Sequence, residues 1–187
     1  RTDHPETIAF VRLVNGQATY AFYDENTSGR LLAEADLPSF GPEVQALQFG
    51  CISLIPEPCG STYESLMRRE RERLVMSLDP NIRFSFIKDQ AAHRARMDRM
   101  IAMSDIVKLS DEDLHWLEGQ GGLTALARGI LAKGPKVVFI TEGAKGARAV
   151  TGTQDIFVSG QKVTVVDTVG AGDTFNAGVL AALHQAG

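Results

Sequence analysis

Asp167-Thr168-Val169-Gly170-Ala171-Gly172-Asp173-Thr174-Phe175-Asn176-Ala177-Gly178 is the stretch around which the rest of the chain is read. An alternating apolar run, Val163 to Val166, precedes it and reads as a strand. Ala177 to Leu183 follows and reads as a helix, with Phe175, Val179 and Leu183 at helical spacing on one side. A strand, a glycine turn and a helix aim free backbone N–H groups at whatever lies in front of the turn. The first turn of a helix holds donors without partners, and the aligned peptide dipoles add partial positive charge there. Gly170 and Gly172 remove the side chains that would keep an anion off the backbone. Asp173 stands inside this anion-attracting turn, where a carboxylate and a phosphate repel each other. Two readings are open. As a helix N-cap, Asp173 is an ordinary structural residue. As a general base, it takes the proton of a hydroxyl attacking a phosphoryl group held by the same turn.

Working outward, the chain of 187 residues can bury one substantial core and is short for two. Hydrophobic residues at 44% and charged ones at 22% are ordinary for a soluble globular domain. A net charge of −4 argues against nucleic acid or an anionic membrane as the main partner. No apolar run approaches the roughly 20 residues that a membrane span needs. Cys51 and Cys59 are too few for a disulfide framework, which points to a reducing cytosol. His4, His93, His115 and His184 are isolated and show no metal-ligand spacing.

In chain order, residues 7–14 and 18–24 are two β-rich runs joined by Asn15-Gly16-Gln17, a hairpin signal because Asn and Gly tolerate positive φ. Apolar residues lie on both faces, so this hairpin has to pack against something else. Residues 25–45 are polar, small or turn-forming and read as a connection. Ala46 to Leu54 reads as a buried strand ended by Pro56 and Pro58. Ser61-Thr62-Tyr63-Glu64 fits a capping box opening a helix, and its Arg/Glu-rich continuation, Arg68 to Arg73, reads as a solvated face. Val75 to Leu78 is a strand running into Asp79-Pro80-Asn81-Ile82-Arg83. A helix from about Asp89 to Met103 turns Met97, Met100 and Ile101 inward. Asp105 to Leu109 is the next strand, with Ser110 capping a helix from Asp111 to Glu118. Leu123, Leu126, Ala127, Ile130 and Leu131 give another amphipathic helix, stopped by Gly134-Pro135. Val137 to Ile140 is apolar on consecutive positions, as a strand buried on both faces would be. Thr141 to Gly146 turns the chain. Ala147 to Val150, Asp155 to Val158 and Lys162 to Val166 read as further strands. Strands alternating with helices from 46 to 140 predict an α/β fold with a mainly parallel sheet covered on both faces.

Asp167-Thr168-Val169-Gly170-Ala171-Gly172-Asp173-Thr174-Phe175-Asn176-Ala177-Gly178-Val179-Leu180 resembles, without a break, the C-terminal signature of the ribokinase-like (PfkB) carbohydrate kinases. The resemblance implies transfer of a phosphoryl group from ATP to a sugar hydroxyl. Asp173 would be the base, and the amides of Gly170, Ala171 and Gly172 the anion hole. The runs Phe10 to Arg30, Ile52 to Ser61 and Asp79 to Arg83 are similar to fructokinase-like bacterial members, which implies fructose as the acceptor. The first 32 residues then look like part of a β-sheet lid and its connection, and residues 33–187 like part of the α/β kinase domain. Asn81 and Arg83, at a strand end where open α/β sheets bind ligands, would lie near the sugar, as would Tyr20 and Phe22 of the lid.

The same likeness assigns nucleotide-phosphate roles to Thr141, Gly143, Lys145 and Gly146, and to Lys108 and Ser110. Relatives often carry Asn-x-x-Glu where this chain has Ser110 and Asp113; the resemblance implies water-bridged Mg²⁺ near Asp113. It implies a turn-shaping or monovalent-cation (K⁺) role for Asp167. It also implies a homodimer built through the lid. The alternatives are a family kinase acting on 2-keto-3-deoxygluconate or a nucleoside and, from a different class, a non-catalytic sugar- or nucleotide-binding relative. The chain begins and ends inside the family pattern, so an internal portion of a kinase, inactive by itself, is the expectation.

Overall fold

The computed structural model describes residues 3–14 and 17–186. The Asn15-Gly16 turn signal lies outside the described residues. On either side of it, β1 (Ile8–Val14) and β2 (Gln17–Tyr23) pair antiparallel, with Ile8 opposite Tyr23 and Val11 opposite Tyr20. They form a two-stranded sheet separate from the main one.

The main sheet has six strands in sequence order: β3 (Ala46–Gly50), β4 (Val75–Asp79), β5 (Ile106–Ser110), β6 (Val137–Thr141), β7 (Gly146–Thr151) and β8 (Asp155–Ser159). The first three pairings are parallel and the last two antiparallel. Helices α1 (Cys59–Glu70), α2 (Gln90–Ala102), α3 (Asp111–Glu118) and α4 (Leu123–Leu131) fill the crossovers. Parallel neighbours joined in sequence order by right-handed crossovers place these helices on one face.

That face is the core. Met76 and Leu78 of β4, Val107 and Leu109 of β5, and Val138 and Ile140 of β6 meet Met67, Met97, Met100, Leu114 and Ile130, all fully buried. Strand alternation turns Ser77, Asp79, Lys108 and Phe139 to the other face. There α5 (Ala171–Ala186) lies, with the Phe175 ring 6.0 Å from that of Phe139. The predicted α/β fold with a mainly parallel sheet and helices on both faces is the observed one.

Several local expectations are corrected. Lys162 to Val166 forms no strand: it pairs with neither neighbour in the sheet, which ends at β8, and Val163, Val165 and Val166 stand exposed. The strand predicted over 46–54 stops at Gly50, because Cys51 takes a positive φ of 66° and starts a 3-10 turn, Cys51–Leu54. The capping box at Ser61–Glu64 does not open α1, which begins at Cys59 after Pro58. Glu64 instead accepts from Arg99 of α2 at 2.7 and 2.9 Å, tying the two helices together. Strand β6 is fully buried on one face only, since Val137, Phe139 and Thr141 are half-buried. Nor is Arg68 to Arg73 merely solvated. Glu70 is buried, and Arg69 and Arg73, held by it, donate to the carbonyls of Pro38 and Phe40.

Candidate active site

The carboxyl ends of β3 to β6 share one edge of the sheet, and the residues singled out in the sequence collect along it. Asp79 ends β4, Ser110 ends β5 and Thr141 ends β6, the last two paired in register. Over this edge comes the glycine turn. Gly170 has φ 76°, a left-handed conformation that glycine adopts without cost. The helix begins at Ala171. The N–H of Ala171 turns back to the Thr168 carbonyl at 3.3 Å, and the N–H of Thr174 donates to the Gly170 carbonyl at 2.8 Å. Among the described residues the amides of Gly172 and Asp173 have no backbone acceptor, as the first turn of a helix leaves them. Of the three amides assigned to the anion hole, Ala171's is thus engaged within the turn.

Asp173 is the third residue of α5 and not its cap, so the N-cap reading is corrected. Its side chain is exposed and has no hydrogen-bond or ion-pair partner among the described residues. Beneath the turn lies a buried polar cluster. The Lys108 ammonium donates to Asp79 Oδ2 at 3.0 Å, and Asn176 Nδ2 donates to the same oxygen at 2.8 Å. A Cβ placed on Gly172 would stand 3.1 Å from Lys108 Nζ, so the ammonium lies directly under the anion-attracting turn.

Asp113 joins the next loop to this edge. Its Oδ1 accepts the N–H of Ile82 at 2.9 Å and its Oδ2 the N–H of Ser110 at 3.2 Å, while Ser110 Oγ accepts the N–H of Asp113 at 3.0 Å. This is a capping box at the start of α3 that also grips the turn after β4. Burial pushes the Asp113 carboxyl above its ordinary value, against the pull of these hydrogen bonds. Both oxygens of the residue assigned to Mg²⁺ are therefore engaged with backbone amides. Asp167 is likewise used locally, its Oδ1 accepting the N–H of Val169 at 3.0 Å.

Asn81, at φ 43°, lies half-buried with Nδ2 3.5 Å from Cys51 Sγ. The Arg83 guanidinium sits over the Tyr20 ring, 5.9 Å from its centroid. Phe22 stacks beside Tyr20 at 5.9 Å and meets the edge of Phe86 at 5.0 Å. The hairpin residues and Arg83 are thus brought together. A cavity of about 440 Å³ opens beside them, lined by Phe22, Arg30, Ile55, Phe86, His93 and Arg96 among others. Neither Asp173 nor the turn from 141 to 146 lines it.

Gly143–Lys145 is a single 3-10 turn after β6, with Gly143 at φ 58° and Lys145 exposed. Gly146, at φ 134°, starts β7 against the Val158 carbonyl, where a side chain has no room. Sequence reasoning missed Asp79 and Asn176 as members of the site. Asp79 was readable as an acid at a strand end. Nothing local marks Asn176, whose partner is far away in the chain.

The whole chain, residues 1–187, matches the model of the pfkB family carbohydrate kinase. Over 184 residues it is 60% identical to a fructokinase of Rhizobium leguminosarum bv. trifolii, covering 98% of this chain and 56% of that protein. A fructokinase of Vibrio alginolyticus is 32% identical over 171 residues, 91% of this chain and 55% of that protein. Among solved structures, fructokinase from Vibrio cholerae O395 in fructose, ADP and calcium ion bound form aligns with a TM-score of 0.85 at 29% identity, over 96% of this chain and 59% of that one. Aminoimidazole riboside kinase from Salmonella enterica aligns at 0.76 with 26% identity, over 86% of this chain and 54% of that one. The chain spans a little over half the length of these curated relatives. With the family model matched from the first residue to the last, the expectation drawn from the glycine turn holds: this chain belongs to the pfkB carbohydrate kinases.

Proposed function

We propose that the full-length protein transfers the terminal phosphoryl group of ATP to a hydroxyl of fructose, with Asp173 as the base. The observation that carries this reading is the position of Asp173, exposed in the first turn of α5 and, among the described residues, without a partner beside amides without backbone acceptors. Phosphoryl transfer asks the protein chiefly to position two reactants and to stabilise charge. The Asp173 carboxylate accepts the proton of the attacking hydroxyl as the new O–P bond forms and the bond from that phosphorus to the departing ADP breaks. The free amides of the turn, the helix dipole and the Lys108 ammonium beneath them stabilise the oxygens of the transferring group. Arg83 and Asn81 hold the acceptor under the hairpin, where Tyr20 and Phe22 exclude water.

ATP supplies the phosphoryl group, and Thr141, Gly143, Lys145, Gly146 and Ser110 would hold its phosphates at the ends of β5 and β6. Among the described residues no three His, Cys, Asp or Glu gather as a cation site. Mg²⁺ would be carried by the nucleotide's phosphates with its own waters, a mode this ion favours, and would neutralise charge on them. A K⁺ ion near Asp167 rests on the family resemblance alone. In this reading residues 1–32 form the lid and its connection, and residues 33–187 belong to the kinase domain. A homodimer through the hairpin is supported by the exposed Ile8, Phe10, Val11 and Tyr23. The free thiols Cys51 and Cys59 suit a reducing cytosol.

Fructose as acceptor is supported by the names of the relatives at 60% and 32% identity. A nucleoside acceptor is the second reading, favoured by the alignment with the riboside kinase. The test is an acceptor panel of hexoses, keto-deoxy acids and nucleosides with the full-length protein, run beside Asp173→Asn. Fructose is expected to be preferred. The variant is expected to bind nucleotide normally and to lose roughly 10²-fold or more in kcat. Turnover within a few-fold of wild type would remove Asp173 from the role of base.

A further inference from the structure

Helix α5 carries the candidate base, yet among its described residues none is fully buried. Near its end His184 Nδ1 lies 3.2 Å from Gln45 Oε1, and its first turns meet one row of side chains on the sheet. Leu78 pairs with Val107, so one residue further on Asp79 stands beside Lys108, and Lys108 pairs with Phe139. All three side chains point to the face that α5 covers. Gly172, Phe175 and Asn176 lie on one side of the helix by their three- and four-residue spacing. Each meets one member of the row: Gly172 lies over Lys108, Phe175 on Phe139, and Asn176 on Asp79.

Only the last of these is directional. Asp79 is 4% exposed, its Oδ2 takes both Asn176 and Lys108, and its Oδ1 is buried with no hydrogen-bond partner among the described residues. Its backbone is packed against Gly50 so closely that no side chain fits at that position of β3. A buried carboxylate held by strand pairing on its own backbone is a rigid acceptor. Hydrogen bonds to a charged acceptor are the stronger kind and fix direction as well as distance.

We infer that Asp79 is a positioning residue for phosphoryl transfer. Through Asn176 it latches the start of α5 to the sheet, and through Lys108 it holds a cation under Gly172. The inference rests on Asp173, one turn before Asn176, being the base. With the latch gone, the helix keeps its fold and its Phe175 contact, but its first turn can slide over Lys108. Displacement of the base by a fraction of an ångström lowers turnover more than it lowers binding.

The test is Asn176→Ala in the full-length protein. Expected are a kcat lowered roughly tenfold, KM values for both substrates within about twofold of wild type, and faster amide exchange in peptides covering 171–183. The exchanged pair Asp79→Asn with Asn176→Asp keeps an amide-to-carboxylate hydrogen bond at the same place, and also keeps a carboxylate for Lys108. It is expected to regain most of the turnover that either single change loses. Unchanged exchange in Asn176→Ala overturns the latch, and so does faster exchange with unaltered kcat. Asp173→Asn leaves the latch intact and its exchange at wild-type rate. Full turnover in that variant overturns the base assignment instead, so the two failures are told apart.

Discussion

His93 of α2 is 5% exposed, and neither ring nitrogen finds a hydrogen-bond partner among the described residues. Its ring lies 6.2 Å from that of Trp116, on which Arg94 also stacks at 4.0 Å. Burial, helped by the nearby Arg96 charge, holds the His93 pKa below its ordinary value of 6.5. The folded protein therefore binds this proton less readily than the unfolded chain does. Full stability is present above about pH 6.5 and is lost as the pH falls from there towards the folded pKa. Glu57, Glu64 and Glu70, whose pKa values are lowered, add a further loss at more acid pH as they protonate. Asp113, raised by burial, acts in the opposite sense. We predict that His93→Leu flattens the decline of the urea midpoint between about pH 6.5 and 5. A decline as steep as in the wild type would place its origin elsewhere. No spacing in the sequence showed that this histidine is buried without a partner. The apolar side of α2 was legible, but the tightness of its packing against α3 is a tertiary property.

At the scale of elements, those with a strong period or a strong punctuation mark were readable. The Ser110 cap, helices α2, α3 and α4, and strands β4, β5 and β6 lie within a residue or two of their expected places, whereas β3 and α1 both end several residues early. Elements whose identity depends on a neighbour were not. Val163 to Val166 alternates like a strand, but a strand needs a ladder partner, and this segment is not paired with the free edge of β8. The hairpin was legible as a hairpin, whereas its docking is built from distant residues: Tyr20 and Phe22 on one side, Arg83 and Phe86 on the other. An edge-to-face aromatic pair is worth about 1 kcal/mol beyond its buried area. Phe86→Ala is therefore expected to raise the KM for the acceptor about fivefold while the KM for ATP and the melting temperature stay near wild type. Steady-state kinetics with each substrate varied in turn checks this. An unchanged acceptor KM would detach the hairpin from acceptor binding.

Taken whole, the molecule has an uneven surface. Its accessible area is 11384 Å², whereas a compact monomer of 20.2 kDa exposes about 8,800 Å². Part of the excess is apolar: Ile156, Phe157 and Val158 on edge strand β8, then Val163, Val165, Val166 and Val169 in the segment leading to α5. An unpaired edge beside exposed valines is a template for association. We predict that the 187-residue polypeptide, purified alone, self-associates at roughly micromolar concentration, and that Val158→Lys with Val165→Lys suppresses this. Light scattering on a sizing column, across a concentration series, is the measurement. A monodisperse wild-type monomer at every concentration would show that this surface is inert.

By itself the sequence determined the alternation of strands and helices, the parallel sheet it implies, and the glycine turn with an acid at the head of α5. These are local matters, set by apolar period, caps and glycine, and each is complete within a dozen or so residues. Tertiary structure alone decided which strand ends the sheet and which carboxylates are engaged. It gave Asp113 to the Ile82 and Ser110 amides, and it set Asn176 upon Asp79 across 97 positions of the chain. Such pairings follow from strand order and register, which bring Asp79, Lys108 and Phe139 side by side. The row exists only once the sheet is assembled, because each of its members sits on a different strand and none carries a signal of its neighbours.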